Sequence, residues 1–448
     1  MPYTYLTFAQ ARQQLASKLA DEGNVRWTDT ENRFYIYEAL RMWNCLTATW
    51  KTDWSFNFNT GTTVTWINSG TGLPGNPSPR LQQVTYGQLY QMMQYHLQQP
   101  ASGEVWTGTT QFQMVDLIGA VNRHRAEIQQ QTACNTIIFN LPAVSDSRAA
   151  VLPDTILEVI RARWVPAFPT DGPPVTLVRD DRLGEMYYEA GYVQAPAGIP
   201  SDYDVSSVAP LQFFVDIAPN VPGRYEIVAI QASPDSTSPP TTTGIFIPDD
   251  FIWVLKNGAM ADILGRESEA TDRPRAEYFQ KRYQDGLKLL QNTPWILTAY
   301  INNVPVDTPS LVEQDGYAAE WDSKPATLQE IITTGIDFFA VVPDINNPTS
   351  VTLSMLGNAP LPVLDSDPIQ VSRDVLEAII DYAQFLATIK IGGAEFQSAL
   401  PLEANFIRLA SMTNGRLVKT GAFIDVLYKQ GARQEDYQER FSTKTQEE

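Results

Sequence analysis

The fold of this chain is decided by the segment Pro248–Ala259, PDDFIWVLKNGA. Its apolar residues and those just beyond it lie on one face of a helix: Ile252, Leu255, Ala259 and Ile263. A second set repeats this spacing at a constant offset, after Ser372-Arg373-Asp374: Leu376, Ile379, Ala383 and Ala387. Each set is followed by a polar break and a further amphipathic helix. A repeated helix pair without catalytic motifs is typical of a protein that builds an assembly.

The second helices carry apolar stripes of their own. In the first pair the helix covers roughly 272–291 and the stripe contains Phe279, Tyr283, Leu287 and Leu290. In the second pair the stripe contains Ala399, Leu402, Phe406 and Leu409. We interpret the two pairs as a diverged internal repeat, whose period is too long and irregular for a solenoid.

Helices and short strands alternate along the rest of the chain. Two helices occupy the first 50 residues, and Thr28 with Glu31 predicts a capping box at the start of the second. Further helices are predicted at 85–98, 110–132 and 179–190. Strands are predicted at Trp54–Phe58 with Thr62–Ile67 as its hairpin partner, at 135–141 and 155–165, at 211–217 paired with 224–231, and at 296–304, 336–342 and 350–356.

These elements predict an α+β fold of helical hairpins or a bundle with small antiparallel β-segments. We expect an N-terminal helix pair and hairpin at 1–67 and helices with a β-rich region at 84–247. A helix-pair module with its following strand covers 248–305, and a second β plus helix-pair module covers 325–433. The charged segment 434–448 is expected to be an extended tail.

Composition limits the classes of function. The chain of 448 residues has 51 acidic and 32 basic residues and a net charge of −19. This balance disfavours a nucleic-acid reader with a basic patch and gives a surface that does not adhere to DNA. No apolar run approaches the ~20 residues that span a membrane, so we expect no membrane partner.

Several motifs resemble chemical sites but have simpler explanations. The run Gly70–Gly75 has the dinucleotide fingerprint GxGxxG, yet Pro74 lies within it, Pro77 and Pro79 follow, and no helix can begin there to hold pyrophosphate. His96 and His124 lack a catalytic context, and we expect both at the surface. Cys45 lies in an apolar helix pattern and is expected to be buried, and with Cys134 it makes no disulfide framework.

Charged pairs also favour structural roles. We expect the aspartate pairs to lie in turns: Asp180 with Asp181, Asp202 with Asp204, and Asp365 with Asp367. Three pairs of arginines lie close together in the sequence: Arg123 with Arg125, Arg161 with Arg163, and Arg273 with Arg275. We expect each of these arginines to form salt bridges with neighbouring acidic residues. No zinc spacing and no calcium loop is present. The sequence therefore predicts no catalytic, cofactor-binding or metal-binding residues and no enzyme activity.

The segment beginning at Ile247–Ala259 resembles a known family. It continues through Glu269, Asp272-Arg273, Arg275, Tyr278, Arg282-Tyr283 and Gly286. Over about 245–292 it resembles structural proteins of tailed bacteriophages, in particular the head–tail adaptor, also called neck or head-completion, proteins. The opening helix pair is similar too, with Trp27-Thr28-Asp29 leading into its second helix. The chain departs from the family in being much longer than a minimal adaptor.

The resemblance implies a structural virion protein at the head–tail junction, made in the host cytoplasm. Such adaptors form rings, commonly of twelve copies, that dock on the portal protein and surround a channel for double-stranded DNA. Their β-parts contact tail, nozzle or fibre proteins, and a negatively charged channel lets DNA pass without specific binding. Two alternatives remain open: a tail, collar or baseplate protein that anchors fibres, and a hydrolase of host polysaccharide that uses paired carboxylates.

Overall fold

A computed structural model describes most of the chain. The described residues are 5–60, 64–69, 72–74, 76, 84–97, 112–144, 147–183, 196–208, 210–237, 244–266, 272–317, 321, 330–344, 346–413 and 416–427. The predicted tail at 434–448 lies outside them.

Helices and sheets both contribute large parts of the described chain, which confirms the α+β class. The helices are α1 (Phe8–Lys18), α2 (Asp29–Thr47), α3 (Tyr86–His96), α4 (Met114–Thr132), α5 (Ile252–Gly265), α6 (Arg273–Gln291), α7 (Leu311–Tyr317), α8 (Arg373–Ile389), α9 (Gly393–Thr413), α10 (Arg416–Thr420) and α11 (Ile424–Leu427). The strands are β1 (Lys51–Phe58), β2 (Thr65–Asn68), β3 (Thr136–Ala143), β4 (Ala149–Val151), β5 (Ile156–Pro166), β6 (Val175–Thr176), β7 (Val178–Arg179), β8 (Asp202–Val205), β9 (Gln212–Val215), β10 (Gly223–Gln231), β11 (Ile296–Ile301), β12 (Val304–Val306), β13 (Glu330–Thr334), β14 (Phe338–Val342) and β15 (Thr349–Leu356).

One helical core unites segments from both ends of the chain. Phe8 in α1 and Val426 in α11 belong to the same cluster of buried apolar side chains. Helix α2 packs against α1, α8 and α9, and it begins with the predicted capping box: the Glu31 carboxylate accepts the Thr28 N–H at 3.2 Å, and the Thr28 hydroxyl accepts the Glu31 N–H at 3.3 Å. We call the helices that contribute side chains to this cluster the helical core.

Both helix pairs belong to this core. Helix α5 lies against α6, and α8 lies against α9. The stripe residues on the first helix of each pair are buried: Ile252, Leu255, Ala259, Ile263, Leu376, Ile379, Ala383 and Ala387.

A β-module forms from two distant parts of the chain, 51–68 and 296–356, and we call it the split β-module. Its sheets have the strand orders β1-β15-β11-β12 and β13-β14-β2, and they share one apolar core. Trp54, Phe56 and Phe58 all point into that core, as the alternation predicts. The predicted hairpin of Trp54–Phe58 with Thr62–Ile67 is wrong, because β1 pairs with β15 and β2 pairs with β14.

A second module, residues 136–231, lies between α4 and α5 in the chain, and we call it the inserted β-module. Its sheets β3-β10-β5-β6 and β4-β9-β8-β7 enclose a common core. The predicted pairing of 211–217 with 224–231 is wrong, since β10 lies between β3 and β5 whereas β9 lies between β4 and β8. The module begins and ends at one point, where the Asn135 side chain donates to the Gln231 carbonyl at 2.7 Å.

Two other predicted elements change. The strand predicted at 296–304 is a hairpin of β11 and β12, because Asn302 and Asn303 both adopt left-handed backbone angles with φ of 53° and 65°. Of the helix predicted at 179–190, Arg179 lies in β7, Asp180 to Arg182 precede the helical residue Leu183, and 184–190 lies outside the described residues.

The split β-module joins strands from both sides of the predicted unit boundaries at 67, 248 and 325. Among the helices of the described ranges, none has the length and apolarity to cross a lipid bilayer.

Candidate functional site

Both histidines lie inside the helical core, so the prediction of surface histidines is wrong. His96 is 1% exposed and His124 is 6% exposed. Their helices look polar on these faces in sequence, but α5 covers both of them and supplies polar partners.

Lys256, Glu38 and His96 form a buried ionic cluster between α5, α2 and α3. The Lys256 ammonium donates to a carboxylate oxygen of Glu38 and lies 2.8 Å from Nε2 of His96. If His96 accepts this bond at Nε2, its proton resides on Nδ1, which has no hydrogen-bond partner in the described structure. The cluster connects three helices that are distant in sequence.

Protonation in this cluster follows from burial and the lysine charge. Burial alone would raise the pKa of Glu38, but the neighbouring Lys256 and His96 hold this pKa at about 2. Burial, with help from Lys256, lowers the pKa of His96 to about 4. At neutral pH the cluster therefore contains a carboxylate and a neutral imidazole, while burial lowers the pKa of Lys256 and Glu38 opposes that shift.

His124 occupies a similar position between α4, α5 and α6. Its Nε2 lies 2.8 Å from a carboxylate oxygen of Asp262, which also pairs with Arg123. The imidazole contacts the Tyr283 ring edge to face, with 4.8 Å between ring centroids. Burial lowers the pKa of His124, and the side chain fills the space above Gly258.

A third cluster surrounds Arg282 on α6. Glu403 of α9 accepts two of its N–H groups at 2.8 and 3.1 Å, a bidentate pair. Asp285 and Asp425 accept further bonds at 2.9 and 3.2 Å, and Tyr278 donates to Glu403 at 2.8 Å. Because Asp425 belongs to α11, this cluster attaches the segment after α9 to the helical core.

Most of the predicted arginine salt bridges are confirmed. The pairs are Arg123–Asp262, Arg125–Asp235, Arg161–Asp315, Arg163–Glu226 and Arg275–Asp272. Arg273 makes no such pair with a residue of the described ranges. The acidic partners come from other elements in most cases, so these arginines are engaged in holding the fold.

The aspartate pairs have separate local roles. Asp365 pairs with Arg12 and Arg33, and the Asp367 carboxylate accepts the backbone N–H groups of Val363 and Leu364 at 2.8 Å. Asp180 pairs with Arg182 and Asp181 with Arg179. Asp202 and Asp204 lie on β8, so the prediction of a turn is wrong for this pair. Within the described residues, no group of three or more His, Cys, Asp or Glu side chains could hold a metal ion.

The remaining sequence candidates are structural where they are described. Cys45 and Cys134 are buried and free, as predicted for Cys45, and burial raises the pKa of both thiols. In the glycine-containing loop, Leu73 and Asn76 exchange backbone hydrogen bonds, and the Asn76 side chain accepts the Trp54 indole N–H at 3.2 Å. The described part of this loop is therefore attached to the middle of β1, where the Asn76 amide also donates to the Ser55 carbonyl at 2.8 Å.

An open cavity of about 470 Å³ is the candidate functional site. It lies where α2, the start of α5 and the segment after β15 meet, and its lining residues are Tyr37, Arg41, Asp249, Asp250 and 358–363. Asp250 is fully buried and accepts the Asn44 side-chain amide at 2.6 Å and the Ala359 N–H at 3.0 Å. Burial raises its pKa to about 6.

Arg41 distinguishes this cavity from the three ionic clusters. Its side chain is only 7% exposed, and it makes no hydrogen bond or ion pair with any residue in the described ranges. The sequence contained a signal for this site, because Arg41 and Asn44 interrupt an otherwise apolar run at 39–46 of a buried helix. The partner residues at 249–250 and 358–363 could not be inferred, since they are more than 200 positions away.

Comparison with known proteins gives no assignment: no protein-family model matches the chain, and no curated protein matches it significantly.

Proposed function

We propose that the protein is a structural component of a tailed-phage virion, a ring-forming connector between head and tail that docks on the portal and lines the DNA passage. The observation that carries this proposal is the architecture. One helical core contains buried ionic clusters that connect its helices, and two β-modules are attached to this core. A rigid helical body suits side-by-side packing in a ring, and separate β-modules suit contacts with other virion proteins.

The inserted β-module is the part that we assign to tail, nozzle or fibre contacts. Its surface includes large apolar side chains that are about half exposed or more: Val144, Val151, Phe168, Val178, Ile199 and Val208. Where such side chains lie next to one another on the surface, they favour contacts with other proteins.

The charge of the chain supports the proposed passage of DNA. Each copy carries a net charge of −19, so a ring of about twelve copies, as in the family that the sequence resembles, is strongly anionic. Wherever this charge faces the channel, it repels the phosphate backbone and lets DNA move without specific binding.

The two helix pairs, α5–α6 and α8–α9, fit a diverged duplication within the helical core. The stripe residues on the first helix of each pair are buried, at the constant offset found in the sequence. The pairs differ in detail, because α8 begins with a Ser372 side-chain cap whereas α5 follows a short 3-10 turn, and α9 contains Pro401. An experimental structure in which the two pairs fail to superpose would contradict the duplication.

Electron microscopy of the purified chain, alone and mixed with the portal protein encoded by the same genome, tests the function. We expect rings or partial rings that dock coaxially on the portal, with native mass giving the copy number. A matched variant, Phe168→Ser with Val208→Ser, should still dock on the portal but bind tail or fibre proteins less strongly.

Other results separate the alternatives. Co-purification with tails that lack heads favours a tail, collar or baseplate protein. A small oligomer that cleaves host polysaccharide and ignores the portal would establish the hydrolase and remove the connector proposal.

A further inference from the structure

The cavity contains Arg41, a cation that makes no hydrogen bond or ion pair within the part of the chain that the structure describes. The guanidinium nitrogens of Arg41 have no hydrogen-bond partner among the described residues and are open to the cavity, and the nearby Asp250 carboxylate compensates the charge only at a distance. The nearby Asp250 carboxylate is instead bonded to Asn44 and Ala359, and Asp249 accepts the Val84 N–H at 3.0 Å. Arg41 is therefore available for a ligand.

The other walls of the cavity define what that ligand carries. Asn358 is half-buried and, like Arg41, forms no hydrogen bond with the described residues, so its amide can donate to the same ligand. Tyr37 is engaged, since its hydroxyl donates to the Pro362 carbonyl at 2.5 Å. Pro360–Val363 adds an apolar wall. The site thus offers hydrogen-bond donors next to a surface for aliphatic groups.

We propose that this cavity is a binding site for one carboxylate group on an aliphatic chain, with both carboxylate oxygens accepting N–H groups of Arg41. The planar guanidinium matches a carboxylate in this bidentate arrangement. Asp249 and Asp250 add negative charge, which selects a monoanion over a phosphate dianion. The carboxylate comes either from a Glu or Asp side chain of a neighbouring protein or from a free small acid. This inference does not depend on the connector function.

Proton linkage gives the site a second signature. The groups that act electrostatically on Asp250 are Arg41 and Cys45 of α2 and its neighbour Asp249. A bound carboxylate raises the pKa of Asp250 further, so binding takes up a proton. We expect affinity to increase as the pH falls from 7.5 to 5.5, a range in which a glutamate ligand stays ionised. An affinity that is unchanged or lower at pH 5.5 places the ligand away from Asp250 and counts against the assignment.

Isothermal titration calorimetry on the full chain tests the proposal with the peptides acetyl-Leu-Glu-Leu-amide and acetyl-Leu-Gln-Leu-amide, with glutarate and with inorganic phosphate. We expect the Glu peptide to bind at least tenfold more tightly than the Gln peptide and than phosphate. Arg41→Gln should reduce binding of the Glu peptide at least tenfold. The control Arg224→Gln, on exposed β10 surface, should leave it unchanged.

The comparison of probes also identifies the source of the carboxylate. Tighter binding of the Glu peptide than of glutarate indicates a protein side chain, and the reverse indicates a free acid. Equal binding of the Glu and Gln peptides, or no binding of any probe, overturns the proposal. If Arg41→Gln fails to fold, Arg41→Lys keeps the charge and loses the planar fork, and unchanged affinity of that variant overturns it equally.

Discussion

At the residue scale, buried ion pairs determine which helices pack together. Lys256–Glu38 joins α5 to α2, and Arg282–Glu403 joins α6 to α9. A buried pair adds little net stability compared with apolar residues of the same shape, but removal of one partner leaves an uncompensated charge. These clusters therefore disfavour alternative packings of helices whose stripes are otherwise similar.

Replacement of Lys256 by methionine should be strongly destabilising. The Glu38 carboxylate loses its main compensating charge while it stays buried, and breaking a buried pair in this way costs about 3–5 kcal/mol. Chemical denaturation, followed by circular dichroism, measures the free energy of unfolding. The double variant Glu38→Gln with Lys256→Met should recover most of the loss, and equal destabilisation of the single and double variants would show that charge is not the cause.

The pH dependence of stability should contain two opposing contributions. The pKa of His96 in the folded chain, about 4, lies below the usual value of 6.5, so its contribution is present above pH 6.5 and is lost as the pH falls through 4. The pKa of Asp250, about 6, lies above the usual value of 3.8, so its contribution is present below pH 3.8 and is lost as the pH rises through 6.

Variants at these two positions should separate the contributions between pH 7 and pH 5. Relative to the wild type, His96→Gln should gain about 2 kcal/mol on acidification, because its imidazole no longer resists protonation in the core. Asp250→Asn should lose about 1 kcal/mol relative to the wild type over the same interval. Urea denaturation at several pH values gives both differences, and shifts of the same sign for the two variants would contradict the assignment.

At the scale of elements, two glycines set how closely α4, α5 and α6 approach. A Cβ atom at Gly258 would lie 2.8 Å from Cγ of His124, and one at Gly286 would lie 2.5 Å from Cγ2 of Val254. Both distances are shorter than van der Waals contact, so the helices can pack at this separation only with glycine at these positions.

Alanine at either position should therefore destabilise the protein by about 1–3 kcal/mol, the usual range for overpacking. Gly119 on α4 is the matched control, because a Cβ atom there meets nothing within 4 Å. Gly119→Ala should be neutral or stabilising by up to about 1 kcal/mol through helix propensity. Thermal unfolding of the three variants measures the effect, and three equal melting temperatures would show that close helix contact is not required.

Sequence periodicity predicted elements better than their partners. The stripes at 252–263 and 376–387 and the alternation at Trp54–Phe58 identified helices and a strand with their buried faces, because these signals are local. The partner of β1 is β15, almost 300 positions later, and no local signal selects it over the nearer Thr62–Ile67. The Asn302-Asn303 pair is a local turn signal that divides the predicted strand at 296–304 into a hairpin.

The candidate site shows the same division. Arg41 and Asn44 are recognisable as polar residues in a buried helix, but their meaning depends on Asp250 and on 358–363, which only the tertiary fold brings to them. The histidines were misplaced for the same reason, since their buried partners come from other helices.

At the scale of the whole molecule, the inserted β-module resembles an independent unit. Its entry and exit residues are adjacent, because the Gln231 N–H donates to the Asn135 carbonyl at 2.9 Å. It has its own apolar core. Its contacts with the split β-module include Arg161, which pairs with Asp315 and stacks on the Trp321 ring with 5.2 Å to the centroid, and Ile160, which packs against the apolar cluster around Trp321.

Excision of residues 136–230, with a short Gly-Ser linker from Asn135 to Gln231, should leave the helical core and the split β-module folded. The linker spans a gap that a hydrogen bond already closes, so loop-closure entropy changes little. The isolated module, 134–232, should fold by itself around Trp164 and Tyr225. Circular dichroism and thermal unfolding of both fragments measure this, and aggregation or a non-cooperative transition of either fragment would show that the modules stabilise each other.

Under the proposed function, the excised chain should still assemble on the portal and fail to bind tail or fibre proteins, since the helical core forms the ring and the inserted β-module makes the outer contacts. Loss of portal assembly by a well-folded excised chain would instead place the inserted β-module in the ring itself.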